Sequence, residues 1–191
     1  MRLIAAAVLA SAAPSLAWAL SPPAPLPLWT VDKAGSRVAF RTAMSGTAID
    51  GRFQRWDARI QFDPKNLGAS KVTATIDLAS VTTGDQTRDE ALPSSDWFAI
   101  AKFPRASFVS RAITPAGPNR YVAAGDLMLR GVKRPVNLPF TLAINGDVAK
   151  MTGSVALDRT AFGVGQGQFK TGATVDTKVT VNIAVAARRA S

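Results

Sequence analysis

From Trp29 onward, apolar and polar residues alternate with a period of two. Val72-Thr73-Ala74-Thr75-Ile76-Asp77-Leu78 is the clearest run, with apolar side chains at every even position and polar ones at every odd position. Such a run has one dry face and one wet face, the pattern of an antiparallel sheet solvated on one side. Ser36 to Arg41 repeats it through Val38 and Phe40, and Asp57 to Phe62 through Ala58, Ile60 and Phe62. Further strands are predicted over Arg105 to Arg111, Tyr121 to Arg130, Pro135 to Ile144, Ser154 to Ala161 and Val175 to Val185. Turns are expected at Asp32-Lys33-Ala34-Gly35, at Asp63-Pro64, over Gly131 to Pro135, at Asn145-Gly146, and along Gly163, Gly165 and Gly167. About eight short-linked strands suggest an all-β sandwich or barrel.

One stretch breaks this rhythm. Thr83-Gly84-Asp85-Gln86 has the Thr-x-x-Gln spacing of a capping box, and the helix it opens would stop before Pro93. A second short turn, Ser94 to Phe98, carries the aromatics Trp97 and Phe98. On a barrel, such an insertion sits at a rim, where its aromatics either plug the end or gate a cavity. An eight-stranded barrel is wide enough to be filled by its own side chains or to hold one small ligand. The dry face mixes Ala58, Ala74 and Ala106 with Ile60, Ile76 and Phe108, which fits either case.

Before the strands, Met1-Arg2, a short apolar run through Ala10 and the small-x-small triplet Ala17-Trp18-Ala19 read as a secretory signal peptide over 1–19. Residues 20–28 hold four prolines and form an extended spacer rather than a helix or a ladder strand. The folded body is expected over 29–187, followed by a basic tail at 188–191, and an exported, periplasmic protein follows from the signal.

Composition removes most routes to chemistry. The 191 residues contain no Cys and no His. Disulfides, thiol nucleophiles, a lipidated cysteine, His-based triads and the usual zinc and haem ligands are therefore excluded. No cofactor and no metal site is expected. A charge of +10, from 23 basic and 13 acidic residues, favours anionic partners. No nucleic-acid motif accompanies it, so nucleic acid is not expected. An outer-membrane barrel would need aromatic girdles, which one tyrosine and the few tryptophans do not supply.

Several segments, taken in order, resemble the YceI-like, polyisoprenoid-binding family. They are Trp29-Thr30-Val31-Asp32 with Ser36-x-Val38-x-Phe40, then Gly51-Arg52-Phe53-Gln54-Arg55-Trp56, then Asp77 to Gly84 leading to Arg88-Asp89-Glu90-Ala91-Leu92. Ser95-Asp96-Trp97-Phe98, Lys102-Phe103-Pro104-x-Ala106-x-Phe108, the Gly125 to Val136 hairpin and Arg159-x-x-Phe162-Gly163 complete the set. The resemblance implies an extended eight-stranded antiparallel, lipocalin-like barrel with one short helical insertion, holding a long apolar chain. It implies a non-enzymatic periplasmic carrier, with an isoprenoid quinone among the ligands because related domains occur beside membrane b-type cytochromes. Transient contact with the inner membrane or such a cytochrome, and a monomer or homodimer, are further expectations. Many relatives carry a histidine between the positions of Phe40 and Gly51 and another where Ala91 stands; this chain has neither.

The ligand-lining set is expected to be Phe40, Phe53, Trp56, Ile60, Ile76, Phe108, Leu138, Phe140 and Phe162 from the strands and turns, with Leu92, Trp97 and Phe98 from the helical insertion. Arg52 and Arg55 are the expected headgroup contacts; Arg130, Lys133 and Arg134 form a second basic group. Asp85, Asp89 and Glu90 are the best acidic cluster, suited on paper to an oxygen-liganded cation or a carboxylate-based hydrolase. The opening turns of a helix also favour acids for structural reasons alone. A barrel with a filled core, serving as an accessory partner of a membrane cytochrome, is the main alternative to the carrier.

Overall fold

The structure, a computed structural model, describes residues 25–190. The expected signal peptide, most of the proline-rich spacer and Ser191 lie outside the described residues.

Ten strands run in chain order: β1 (Leu28–Met44), β2 (Thr47–Phe53), β3 (Trp56–Gln61), β4 (Lys71–Asp77), β5 (Val81–Thr82), β6 (Arg105–Pro115), β7 (Arg120–Leu129), β8 (Val132–Asn145), β9 (Val148–Asp158) and β10 (Lys178–Arg189). One α-helix, α1 (Gln86–Ala91), lies between β5 and β6. The strand pairings among the described residues are antiparallel, and β1 pairs with β10 to close the sheet.

The ten strands make eight staves. β2 and β3 are one stave broken at Gln54-Arg55, because β1 pairs with both, Val38 to Met44 with β2 and Leu28-Trp29 with β3. β4 and β5 are likewise one stave interrupted by a 3-10 turn at Leu78–Ser80. Closure removes the unpaired edges that an open sheet would expose to other chains.

The strands and their connections depart from the sequence expectation at four places. Asp32 to Gly35 is a bulge inside β1, not a turn; Asp32 accepts hydrogen bonds from Ala34 N (3.1 Å) and Gly35 N (3.4 Å) as the register with β10 shifts. The basic end is no free tail, since Arg188 and Arg189 pair with Thr30 and Trp29 as the last residues of β10. The strand expected to reach Ala161 ends at Asp158, where Arg159–Phe162 coils into a 3-10 turn. The β7–β8 turn is the two-residue Arg130-Gly131, both at positive φ, so Pro135 lies within β8.

The tight β7–β8 turn sets which way the β8 backbone faces. In a two-residue hairpin Leu129 and Val132 close the ladder, so Lys133, Pro135, Asn137 and Pro139 direct their nitrogens away from β7. Two of those four positions have no N–H to give. β8 accordingly pairs with β9 only from Phe140 to Asn145, and the two strands diverge beyond Gly153.

The inward faces fall into two packed clusters. One, beside the chain termini, contains Trp29, Phe62, Ile113, Ala123, Leu138, Ala149, Val185 and Ala187. The Trp29 indole N–H donates to the Phe62 carbonyl at 2.9 Å, which satisfies its one polar atom in a buried site. Tyr121 meets Phe62 edge-on at 5.5 Å. The other cluster, toward the helical insertion, gathers Leu78, Val81, Phe98, Ala106, Phe162 and Val164.

Candidate functional site

Between these clusters the barrel is hollow. A cavity of about 530 Å³ runs from Trp29, Phe62, Ala149 and Ala187 at the termini end to Thr83, Thr87, Ala91 and Leu92 under α1. The alternation along each strand explains its lining. Val72, Ala74 and Ile76 of β4 face in while Lys71 and Thr73 are exposed; Met151 and Val155 of β9 face in while Thr152 and Ser154 are exposed. The filled interior required by the accessory-partner alternative is therefore absent.

The twelve residues expected from sequence as the ligand set all line this cavity. Phe40, Phe53 and Phe98 form a tilted aromatic series, with ring centroids 5.6 Å and 6.0 Å apart. The Phe40 ring lies over Gly51 on the paired strand, where a Cβ would collide with it. Trp56, Ile60, Ile76 and Phe108 line the middle staves, Leu138 and Phe140 come from β8, and Phe162 sits in the 3-10 turn after β9. The two insertion aromatics do different jobs. Phe98 is buried in the wall, whereas Trp97 packs at a tilt against Phe169, ring centroids 4.9 Å apart, and carries the Arg159 guanidinium over its ring at 5.4 Å.

The expected headgroup residues are placed elsewhere. Arg52 precedes inward-facing Phe53, so the alternation turns it outward, and it does not line the cavity. Arg55 lies at the break between β2 and β3 and pairs on the outside with Asp77, Nε to Oδ2 at 2.9 Å. Arg130 and Arg134 are structural: they donate to the carbonyls of Ser95 (2.6 Å) and Ala161 (3.0 Å), fastening the β7–β8 hairpin to the neighbouring loops.

Sequence reasoning missed the two charged residues that do line the cavity, Arg88 and Arg159. Arg159 is 4% exposed and forms no ion pair with a carboxylate among the described residues. Instead it donates to four backbone carbonyls: Nε to Asp176 (2.9 Å), Nη1 to Val164 (2.8 Å), and Nη2 to Phe169 (2.5 Å) and Val175 (2.7 Å). Burial lowers its pKa, against the opposing charges of Asp158 and Asp176. Gly165 (φ +82°) makes room, since a Cβ there would strike Nη1. The glycine series was thus a signal for this loop, which wraps one arginine to close the barrel rim.

The acidic cluster is likewise built into the fold. Asp85, not Thr83, is the N-cap of α1, and its carboxylate accepts from Arg88 N at 2.9 Å. Asp89 accepts from Thr82 Oγ1 (2.7 Å), Thr83 N (2.6 Å) and Thr83 Oγ1 (2.8 Å), which ties α1 to β5. Burial works against that carboxylate, but the hydrogen bonds outweigh it and hold its pKa below the ordinary range. Glu90 bonds the Gln86 amide at 2.8 Å. No group of three or more acidic residues among the described residues is arranged to hold a metal ion.

The model of the YceI-like domain family matches residues 29–187. This chain belongs to the YceI-like family. It is 32% identical over 161 residues to a UPF0312 protein of Pseudomonas syringae pv. tomato, covering 80% of this chain and 83% of that one. It is 38% identical over 122 residues to Protein YceI of Escherichia coli, an alignment spanning 62% of this chain and 63% of the relative. Among solved structures, Burkholderia cenocepacia BcnA superposes with a TM-score of 0.79 at 33% identity, covering 82% of this chain and 98% of that one. A polyisoprenoid binding domain from Saccharophagus degradans shares the fold, with a TM-score of 0.69 at 15% identity over 86% of this chain and 99% of that one. Thr42, Met44 and Ile49, from the segment between Phe40 and Gly51, and Ala91 of α1 also line the cavity.

Proposed function

We propose that this YceI-like protein binds one long-chain, isoprenoid-like lipid inside its barrel and carries it outside the cytoplasm. The observation that carries this reading is the continuous cavity, whose lining is aliphatic and aromatic except for Thr42, Thr83, Thr87, Arg88 and Arg159. Burying one methylene contributes about 0.8 kcal/mol, so one five-carbon unit contributes about 4 kcal/mol at most. A few such units reach useful affinity even after the chain's ordering cost, and apolar burial is indifferent to exact chain length. Polyisoprenoid binding by a protein of the same fold supports the ligand class. Isoprenoid quinones fall within it. The signal-like residues 1–19 support export to the periplasm, where a carrier would meet membrane lipids.

The role proposed is binding, not catalysis. The acidic residues that a hydrolase would use are occupied in capping and latching α1.

Trp29, Trp56 and Trp97 all line the cavity, so intrinsic fluorescence reports its occupancy directly. Titrating delipidated protein with geranylgeraniol should give a saturable change that ends at one equivalent. A flat titration overturns the proposal.

A further inference from the structure

We infer that Arg88, with Thr83 and Thr87, forms a clamp for an anionic oxygen head, phosphate or carboxylate, on the bound chain. This rests on the proposal that the cavity holds such a chain. It assigns the head to one end of the cavity and to one side chain.

Arg88 and Arg159 are the charged residues in the lining. Arg159 is committed to four carbonyls and holds the rim loop together. Arg88 is not committed in this way. Its Nε donates to Thr83 Oγ1 at 3.2 Å, and Nη1 stands 3.5 Å from Asp85 Oδ2, too long for a strong charge-assisted bond. Both terminal nitrogens thus lack a short acceptor among the described residues. A half-open ion pair of this length contributes little and yields readily to a better acceptor.

The neighbours fit the same chemistry. Thr87 lies one residue before Arg88, lines the cavity, and its hydroxyl makes no hydrogen bond among the described residues. The Thr83 hydroxyl donates to Asp89 and accepts from Arg88, which fixes the guanidinium from behind. A planar guanidinium whose two terminal nitrogens have no short acceptor can offer paired N–H groups to two oxygens of a phosphate or a carboxylate. The far end of the cavity offers Trp29, Phe62, Ala149 and Ala187, where a charged head would find no partner. The head therefore lies under α1 and the chain runs toward the termini.

Three C20 ligands with the same chain test this: geranylgeranyl phosphate, geranylgeranic acid and geranylgeraniol, titrated by tryptophan fluorescence. Wild-type protein should bind at least one of the two anions about tenfold or more tighter than the alcohol. Preference for the phosphate alone, or for both anions, identifies the source of the oxygens. Arg88→Gln should abolish the preference and leave alcohol affinity within about twofold; Arg88→Lys should keep part of it. Thr87→Val, which leaves the Arg88 contacts intact, should weaken the favoured anion alone and serves if Arg88→Gln proves unstable. Equal binding of all three ligands by wild type, or an equal loss for all three in Arg88→Gln, overturns the clamp while the chain-binding proposal stands. Binding of none of the three overturns both.

Discussion

Replacing Ala74 with leucine puts side-chain volume into the middle of the barrel, and the sign of the result separates a hollow interior from a packed one. Ala74 lies on β4 between its paired residues Ala58 and Phe108, and both Ala74 and Ala58 line the cavity. Leucine adds three carbons. In an empty apolar cavity they replace nothing and gain up to about 2.4 kcal/mol at about 0.8 kcal/mol each. Fixing the leucine rotamer costs about 0.5–1 kcal/mol, leaving a net gain of about 1–2 kcal/mol. At about 2–4 °C per kcal/mol for a domain of this size, the ligand-free melting temperature should rise by about 2–8 °C. Forcing the same group into a well-packed core would instead cost about 1–3 kcal/mol. The added side chain also occupies space the lipid needs, so geranylgeraniol affinity should fall about tenfold or more. Thermal melts of delipidated protein, paired with fluorescence titration, provide both readouts. A lower melting temperature with unchanged binding would refute the hollow-barrel reasoning.

Arg159→Met leaves four carbonyls without their donor, those of Val164 and Val175 buried and those of Phe169 and Asp176 partly so, and should destabilise the fold by about 3–5 kcal/mol, read as a lowered urea midpoint; a loss below about 1 kcal/mol would show that the rim loop does not depend on it. Because the Asp89 pKa is lowered in the fold, its latch is fully present above the ordinary carboxylate pKa and is lost as pH falls through the depressed folded value. Hydrogen exchange over 83–92 should therefore be slow and pH-independent in protection from neutral to mildly acidic conditions, and fast in Asp89→Asn throughout; protection that survives in the variant would contradict the latch. Reversing Arg52 and Arg55 together to glutamate should leave anionic-lipid affinity within about twofold, since neither side chain reaches the cavity; a tenfold loss would return the head site to the outer wall.

The sequence made the lining legible because a strand has a strict two-residue period, and one inward residue such as Ile76 fixes the direction of its neighbours. The same period misleads where the chain departs from it. Arg52 and Arg55 look like a basic pair in sequence, but the break at Gln54-Arg55 and the inward turn of Phe53 place them outside. Cavity or core was not legible, because inward alanines such as Ala58, Ala74 and Ala106 serve equally well in a tapered packed barrel. The difference is set by how far apart eight closed staves stand, which no local pattern encodes. The N-cap of α1 was displaced by two residues because Thr83 and Asp85 are both good caps. Asp85 takes the position, while Thr83 is held by Asp89 and Arg88. Arg159 stands in the Arg159-x-x-Phe162-Gly163 motif, whose spacing gives it no role by itself; only the folded loop brings the carbonyls of Val164, Phe169, Val175 and Asp176 around it.

The barrel of this YceI-like protein is proposed to hold one long apolar chain. Protein purified natively, without detergent, should be examined by intact native mass spectrometry and by mass spectrometry of its organic extract. The expected result is one isoprenoid-like lipid per protein, removed by extraction and restored by a single equivalent. An unadorned protein mass, with only solvent in the extract and no uptake of added lipid, would contradict it.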